Sequence, residues 1–187
     1  MVVVSSPSGG GKTTLVKRLV RRVPGLVRSV SVTTRPPRAG ERRGSDYRFI
    51  SPAAFQRLRQ TRQLLEWARV HGAWYGTPKA PARRALAQGR DVILSIDVQG
   101  ARQIRRALGT RATLVFLLPP SLEDLRRRLR RRRTETPTAM RRRLAVARRE
   151  IACAVWYDVI VVNDRLDQAI RDVGRAIRAG RANRKGS

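Results

Sequence analysis

The sequence has 187 residues, 41% of them hydrophobic, with 42 basic against 13 acidic side chains and a formal net charge of +29. That length and apolar content suit one globular domain needing neither disulfides nor a structural metal, and they exclude an intrinsically disordered chain. A single cysteine (Cys153) and a single histidine (His71) exclude a disulfide framework and the usual cysteine–histidine zinc sites, while the excess of arginine favours polyanionic partners.

In chain order, Val2-Val3-Val4 reads as a strand that leads into the glycine-rich stretch Ser5 to Thr14. Leu15, Val16, Leu19, Val20 and Val23 then recur at helical spacing until Pro24-Gly25 stops the pattern. Ser29 to Thr77 breaks this rhythm with short alternating runs (Val30, Val32; Tyr47, Phe49) and the turn-rich Arg35 to Gly40, and is expected to be an inserted, mostly β subregion. Val92 to Leu94, Leu114 to Leu118 and Val159 to Val162 are continuous apolar runs of the kind buried on both faces of a parallel sheet. Amphipathic stretches between them give the α/β alternation.

Ser121 to Asp124 reads as a capping box opening a helix with Leu122, Leu125 and Leu129 inward; from Arg126 to Arg133 only Leu129 interrupts the arginines. A second helix is expected to put Met140, Leu144, Ala147, Ile151 and Val155 on one side, and Arg178 to Ser187 to be a basic, frayed tail. No apolar run approaches the ~20 residues that span a bilayer, and no signal-sequence pattern opens the chain. A soluble cytoplasmic protein without membrane contact is expected.

Ser6 to Thr13 fits the Walker A phosphate loop except that Ser6 stands at the first glycine position. Ser8, Gly9, Gly10 and Gly11 would fold their N–H groups into a nest around phosphate, reinforced by the positive end of the following helix. Lys12 would reach the β and γ phosphates, Thr13 would hold Mg²⁺ through its hydroxyl, and Thr14 completes the loop. An ordinary glycine turn is the alternative; a strand before and an amphipathic helix after favour the nucleotide loop. GTPases, ATPases and small-molecule kinases all share it, so the loop leaves the reaction open.

Further blocks follow in order: Ser31-Val32-Thr33-Thr34-Arg35-Pro36-Pro37-Arg38-Ala39-Gly40-Glu41, Asp46-Tyr47, Leu65-Glu66-Trp67-Ala68, Trp74-Tyr75-Gly76-Thr77, Ile96-Asp97-Val98-Gln99-Gly100-Ala101 and Val162-Asn163-Asp164. With the phosphate loop, this ordered set resembles the guanylate kinase family over almost the whole chain. The resemblance implies a P-loop α/β fold of three layers with a central parallel sheet. It implies a core (1–30, 80–120 and 146–187), a GMP-binding insert (31–79) and a helical lid (121–145). It also implies transfer of the γ-phosphoryl group of ATP to GMP, and to dGMP, with Mg²⁺.

Carried over residue by residue, the resemblance gives Arg35, Arg38, Tyr47 and Tyr75 to the GMP phosphate and Ser31, Glu66 and Thr77 to guanine. Asp97 falls near the acceptor, Asn163 at the adenine pocket, and Lys12, Arg128, Arg132 and Arg143 on the transferring phosphate. The chemistry agrees. A phosphomonoester has its second pKa near ~6, so the attacking oxygen is already anionic and no general base is required. Arginine forks suit crowded phosphate oxygens, and a carboxylate at Glu66 accepts both guanine N–H donors, where adenine would present a lone pair.

Taken alone, Arg35 and Arg38 read better as exposed loop charges; packing is the lesser alternative for Tyr47 and Tyr75, and the apolar neighbours Leu64, Leu65 and Trp67 weigh against a surface carboxylate at Glu66. His71 is given no role. Ser95 departs from the family's second aspartate, Arg133 from its lid glycine and Ser6 from its alanine or glycine. Two other readings stand beside the enzyme: a guanylate-kinase-like binding module with lost catalysis, and a P-loop kinase of another phosphorylated small molecule. The charge would allow weak, non-specific nucleic-acid binding, but no recognition motif accompanies it. The sequence carries no signal for an oligomeric state.

Overall fold

A strand that is apolar at every position must bury both faces, and the central valine and leucine runs do so. In the computed structural model, which describes residues 1–130 and 137–185, the first half of the chain runs β1 (Val2–Ser5), α1 (Lys12–Arg22), β2 (Leu26–Arg28), β3 (Val32–Thr33), β4 (Arg48–Phe49), α2 (Pro52–Gln60), β5 (Leu64–Val70) and β6 (Ala73–Pro78). It continues with α3 (Lys79–Ala87), β7 (Asp91–Ser95), α4 (Val98–Leu108), β8 (Thr113–Leu118), α5 (Leu122–Arg130), α6 (Pro137–Ala152), β9 (Val159–Val162) and α7 (Leu166–Lys185).

Five parallel strands form the main sheet in the order β2-β7-β1-β8-β9. Because side chains alternate across a strand, Val2, Val4, Ile93, Val115 and Leu117 face α1 and α7, where they meet Leu15, Leu19, Ile170, Val173 and Ile177. Val3, Val92, Leu94, Leu114 and Phe116 face the opposite layer, with Ala82 of α3 and Ala101 and Ile104 of α4. These are the three layers of an α/β fold. No helix among the described residues is long and apolar enough to cross a membrane.

The second sheet, β4-β3-β6-β5, is antiparallel apart from the β3–β4 pair. It carries a helix that the β-type pattern concealed. Ser51 caps α2 by accepting the Ala54 N–H at 3.2 Å, Pro52 occupies its first turn, and Phe55 is fully buried, stacked on Trp74 at 5.8 Å between ring centroids.

Four local expectations are corrected. Leu122 is 38% exposed, so only Leu125 and Leu129 face inward from α5. The helix α6 ends at Ala152, and a 3₁₀ turn swings Val155 out to 85% exposure. β9 is an edge strand, so Ile160 and Val162 are half exposed instead of buried. The tail expected to fray from Arg178 is helical to Lys185. Ile177 is buried, and Arg181 donates to the Asp91 carboxylate at 2.5 Å and to the Pro24 carbonyl at 2.8 Å.

Candidate active site

β7 and β8 flank β1 on opposite sides, and the crevice outside the carboxyl ends of such strands is where α/β folds bind ligands. A cavity of about 880 Å³ opens there. One wall is the loop between β1 and α1. Gly9 and Gly11 both have φ near +90°, the left-handed region that favours glycine, and a Cβ on Gly11 would lie 2.5 Å from the Asn163 amide nitrogen. The loop is thereby wrapped tightly at the start of α1, whose first turn carries no acidic residue, leaving its N–H groups for an anion.

The loop is braced from behind. The Asn163 side chain donates to the Gly10 carbonyl at 2.8 Å, and Arg128 donates to the Asn163 carbonyl at 3.0 Å. Leu125 and Leu129 of α5 pack on Gly9. Lys12 is half-buried, and its Nζ donates to the Ile96 carbonyl just beyond the end of β7, 2.8 Å away. Desolvation lowers its pKa, and the negative charges of Asp97, Glu150 and Glu66 oppose that shift.

The facing wall belongs to the second sheet and to the start of α4. Pairing of β5 with β6 sets Glu66 opposite Thr77, whose hydroxyl donates to the carboxylate at 2.6 Å. Glu66 is 3% exposed, and burial pushes its pKa up to about 7 against the Thr77 hydrogen bond. Its other oxygen lies against Gly100, where a Cβ would come within 2.2 Å. Gly100 is held there because its N–H caps α4 on the Asp97 carboxylate, 3.0 Å away. Asp97 thus caps a helix and faces the cavity at once.

Arg35 is fixed by three neighbours. Its guanidinium grips Glu41 in a fork at 2.7 and 2.5 Å, its Nε donates to the Tyr75 hydroxyl at 3.0 Å, and it lies 5.1 Å over the Tyr47 ring. The Glu41 hydrogen bond raises the Arg35 pKa, and the same bond lowers that of Glu41. Burial raises the Tyr47 pKa, so this ring stays a neutral phenol. The segment before β4 is tied to α1 and β2 by Asp46, which pairs with Lys17 of α1 and with Arg28 of β2 and accepts the Arg42 N–H at 3.0 Å.

Of the expected site residues, Ser8, Gly9, Gly10, Gly11, Lys12, Thr13, Thr14, Ser31, Arg35, Arg38, Tyr47, Glu66, Tyr75, Asp97 and Arg143 line this one cavity. Thr77 reaches it through Glu66. Asn163 and Arg128 stand behind the phosphate loop, and Arg132 lies outside the described residues. His71, given no role from sequence, turns the β5–β6 hairpin with φ 49° and reaches the cavity rim.

Sequence reasoning missed Glu41, Lys17 and Glu150. Glu150 is the one acid in α6, a helix otherwise read only for its apolar face and arginines. Thr13, Ser95 and Asp97 all line the cavity and carry oxygen atoms, the ligand type that suits Mg²⁺. No cluster of three histidine, cysteine, aspartate or glutamate side chains able to hold a metal occurs among the described residues.

A cavity with an anion cradle on one wall and a buried carboxylate beside a clamped arginine on the other can hold two phosphorylated groups face to face. Comparison with known proteins agrees. The guanylate kinase family model matches residues 1–180. A guanylate kinase of Gloeobacter violaceus is 51% identical over 177 residues, covering 95% of this chain and 86% of that protein. One from Oleidesulfovibrio alaskensis is 49% identical over 176 residues, covering 94% and 85%. The crystal structure of guanylate kinase from Anaplasma phagocytophilum superposes with a TM-score of 0.81 at 32% identity, over 96% of this chain and 84% of that one. On sequence and fold together, this chain belongs to the guanylate kinase family.

Proposed function

We propose that the protein transfers the γ-phosphoryl group of ATP to GMP, and to dGMP, releasing ADP and GDP. The observation that carries this reading is the buried Glu66–Thr77 pair in the same cavity as the phosphate loop. Guanine offers two adjacent N–H donors, and a carboxylate whose second oxygen is left against Gly100 can accept both. Adenine at that position would set a lone pair against the carboxylate. Arg35, presented by Glu41 and Tyr75, takes the monophosphate with Tyr47 and Arg38.

The ATP phosphates lie in the Gly9–Gly11 nest, and Lys12 and Arg143 offset charge on the phosphoryl group as it moves between the two anions. One oxygen of the GMP phosphate, ionised at neutral pH, bonds to the γ phosphorus as the bond to the β-bridging oxygen of ATP breaks. No proton has to move. Thr13 would hold Mg²⁺ through its hydroxyl, and the ion would supply positive charge to offset that of the phosphates. Asn163 and Arg128 act behind the loop, as braces that keep its amides in position.

ADP release measured with ATP, Mg²⁺ and GMP, AMP, CMP or UMP in parallel tests the reading. The expected result is turnover that depends on GMP. Turnover with AMP alone would remove Glu66 from base recognition, and ATP binding without turnover on any acceptor would replace the enzyme by a binding module.

A further inference from the structure

The free edge of β5 meets α4 through a contact that the binding of neither substrate accounts for. β5 is the last strand of its sheet, and an edge strand presents backbone N–H and C=O groups with no ladder partner. At Trp67 both are taken by one side chain. The Gln103 Oε1 accepts the Trp67 N–H at 3.1 Å, and its Nε2 donates to the Trp67 carbonyl at 2.6 Å. Nε2 also reaches the Gln99 carbonyl one turn back on α4, 3.4 Å away. A carboxamide carries a donor and an acceptor side by side, so Gln103 pairs with Trp67 as a neighbouring strand would. Turned over, the amide would set N–H against N–H and oxygen against oxygen.

The neighbours of this contact belong to the base site. Gln103 and Gly100 are three apart, hence on one face of α4, and Trp67 directly follows Glu66. The helix therefore meets the strand twice in succession: Gly100 lies against the Glu66 carboxyl, and Gln103 holds the Trp67 backbone. Leu65 packs on the core cluster that includes Ala101 and Ile104 of α4, but apolar packing has no direction. Strand pairing does not fix the position either, because the β5–β6 register shifts between Leu64 and Glu66, and such an irregularity re-aims the side chain beside it. Two directional bonds to the next residue supply what packing and pairing leave open.

We infer that Gln103 is a positioning residue for base selection: by clasping the Trp67 backbone it fixes the register of β5 on α4, and so sets the Glu66 carboxyl where it can take both guanine donors at once. The inference rests on the proposed reading of Glu66 as the guanine acceptor, whereas the clasp is independent of it. A carboxylate that receives two N–H groups from one rigid ring tolerates little displacement, since both bonds have to stay short and straight. A carboxylate that receives a single N–H can follow it by rotating. Hypoxanthine makes the difference measurable, because it keeps the N1–H of guanine and lacks the 2-amino group.

The test measures kcat/KM for GMP and for IMP, with ATP and Mg²⁺, in the wild type, Gln103→Met and Gln103→Glu. Methionine keeps the length and helix preference of glutamine and loses both hydrogen bonds. Glutamate keeps an acceptor for the Trp67 N–H but turns its second oxygen on the carbonyl. In each variant the preference for GMP over IMP should fall about tenfold, carried by the KM for GMP, with the KM for ATP changed less than about twofold. A role confined to stability would scale both acceptors equally and leave the ratio as it was. In the Glu66→Gln background, Gln103→Met should move the ratio less than about twofold, because a residue that acts through Glu66 then has no paired acceptor to place.

Amide hydrogen exchange in the peptide covering residues 64–70 reads the clasp without turnover, and should be faster in Gln103→Met than in the wild type. Three outcomes overturn the inference: an unchanged GMP-to-IMP ratio, an equal shift with and without Glu66, or unchanged exchange of the strand. A wild type that turns over neither nucleotide would defeat the proposed function instead, and equilibrium binding of GMP and IMP to the same variants would then supply the ratio.

Discussion

The two walls of the cavity are built by different means. The phosphate wall is made of backbone: glycines with positive φ, the open N-terminus of α1 and one lysine resting on a carbonyl, all within residues 6–13 apart from the carbonyl of Ile96. The opposite wall is made of side-chain pairs drawn from residues 31–100, each group held by another: Arg35 by Glu41 and Tyr75, Glu66 by Thr77, and Gly100 by Asp97. A backbone cradle binds any polyphosphate and tolerates little change. A wall of paired side chains can choose a base and adjust its strength through partners that never touch the ligand.

Substitutions at the two walls should therefore fail differently. The largest effect belongs to Lys12→Ala, which removes the lysine of the backbone cradle. We expect kcat to fall about 10³-fold with the circular dichroism spectrum and melting curve preserved, and an active variant would break the assignment of the phosphate wall. Next comes Glu66→Gln. A neutral amide cannot accept both guanine donors, so kcat/KM for GMP should drop roughly 10- to 100-fold, the worth of a hydrogen bond to a charged group, with the KM for ATP unchanged in the same initial-rate assay.

Glu41→Gln is a gentler probe, because Glu41 orients Arg35 without meeting the phosphate in this reading. The KM for GMP should rise by about threefold as the charge-assisted fork is lost, and kcat should hold. Equal effects on ATP and GMP would erase the distinction between the walls.

The smallest effect is on stability and pH. Burial holds Glu66 and Glu150 up to about 7, above the ordinary 4.5 of a free carboxyl. Between those values the folded protein keeps protons that the unfolded chain has released, so stability falls as pH rises from 4.5 towards 7 and is level above it. Scanning calorimetry should show Tm higher at pH 5 than at pH 7.5 by a few degrees from these groups, with the slope reduced in Glu66→Gln. GMP affinity should run the other way, weakening below pH 7 as Glu66 takes up its proton.

The same contrast explains what could be read from the sequence. The phosphate loop and the strands β1, β7 and β8 are contiguous and apolar, and their periodicity and glycine spacing state them directly. Short β2 was invisible because only Leu26 of its three residues is buried, and α2 because its capping Ser51 and Pro52 sit in a stretch that alternates like strand. Tethers at long separation were harder. Arg181 meets Asp91 across 90 residues and Asn163 meets Gly10 across 153. The motifs drew attention to Arg35 and Glu66, but not to Glu41 as the group that orders the first or to Gly100 as the space that admits the second.

The contact between Gly100 and Glu66 also sets a rule for how this site can change over generations. Any side chain at position 100 displaces the carboxylate, and any shorter residue at 66 leaves a hole beside a helix cap that Asp97 still maintains. Single substitutions at either position meet a loss before they can meet a gain. A route to another base must alter 66 and 100 together, with 77 following, so a library that varies one position at a time will report the pocket as immutable while a paired library need not.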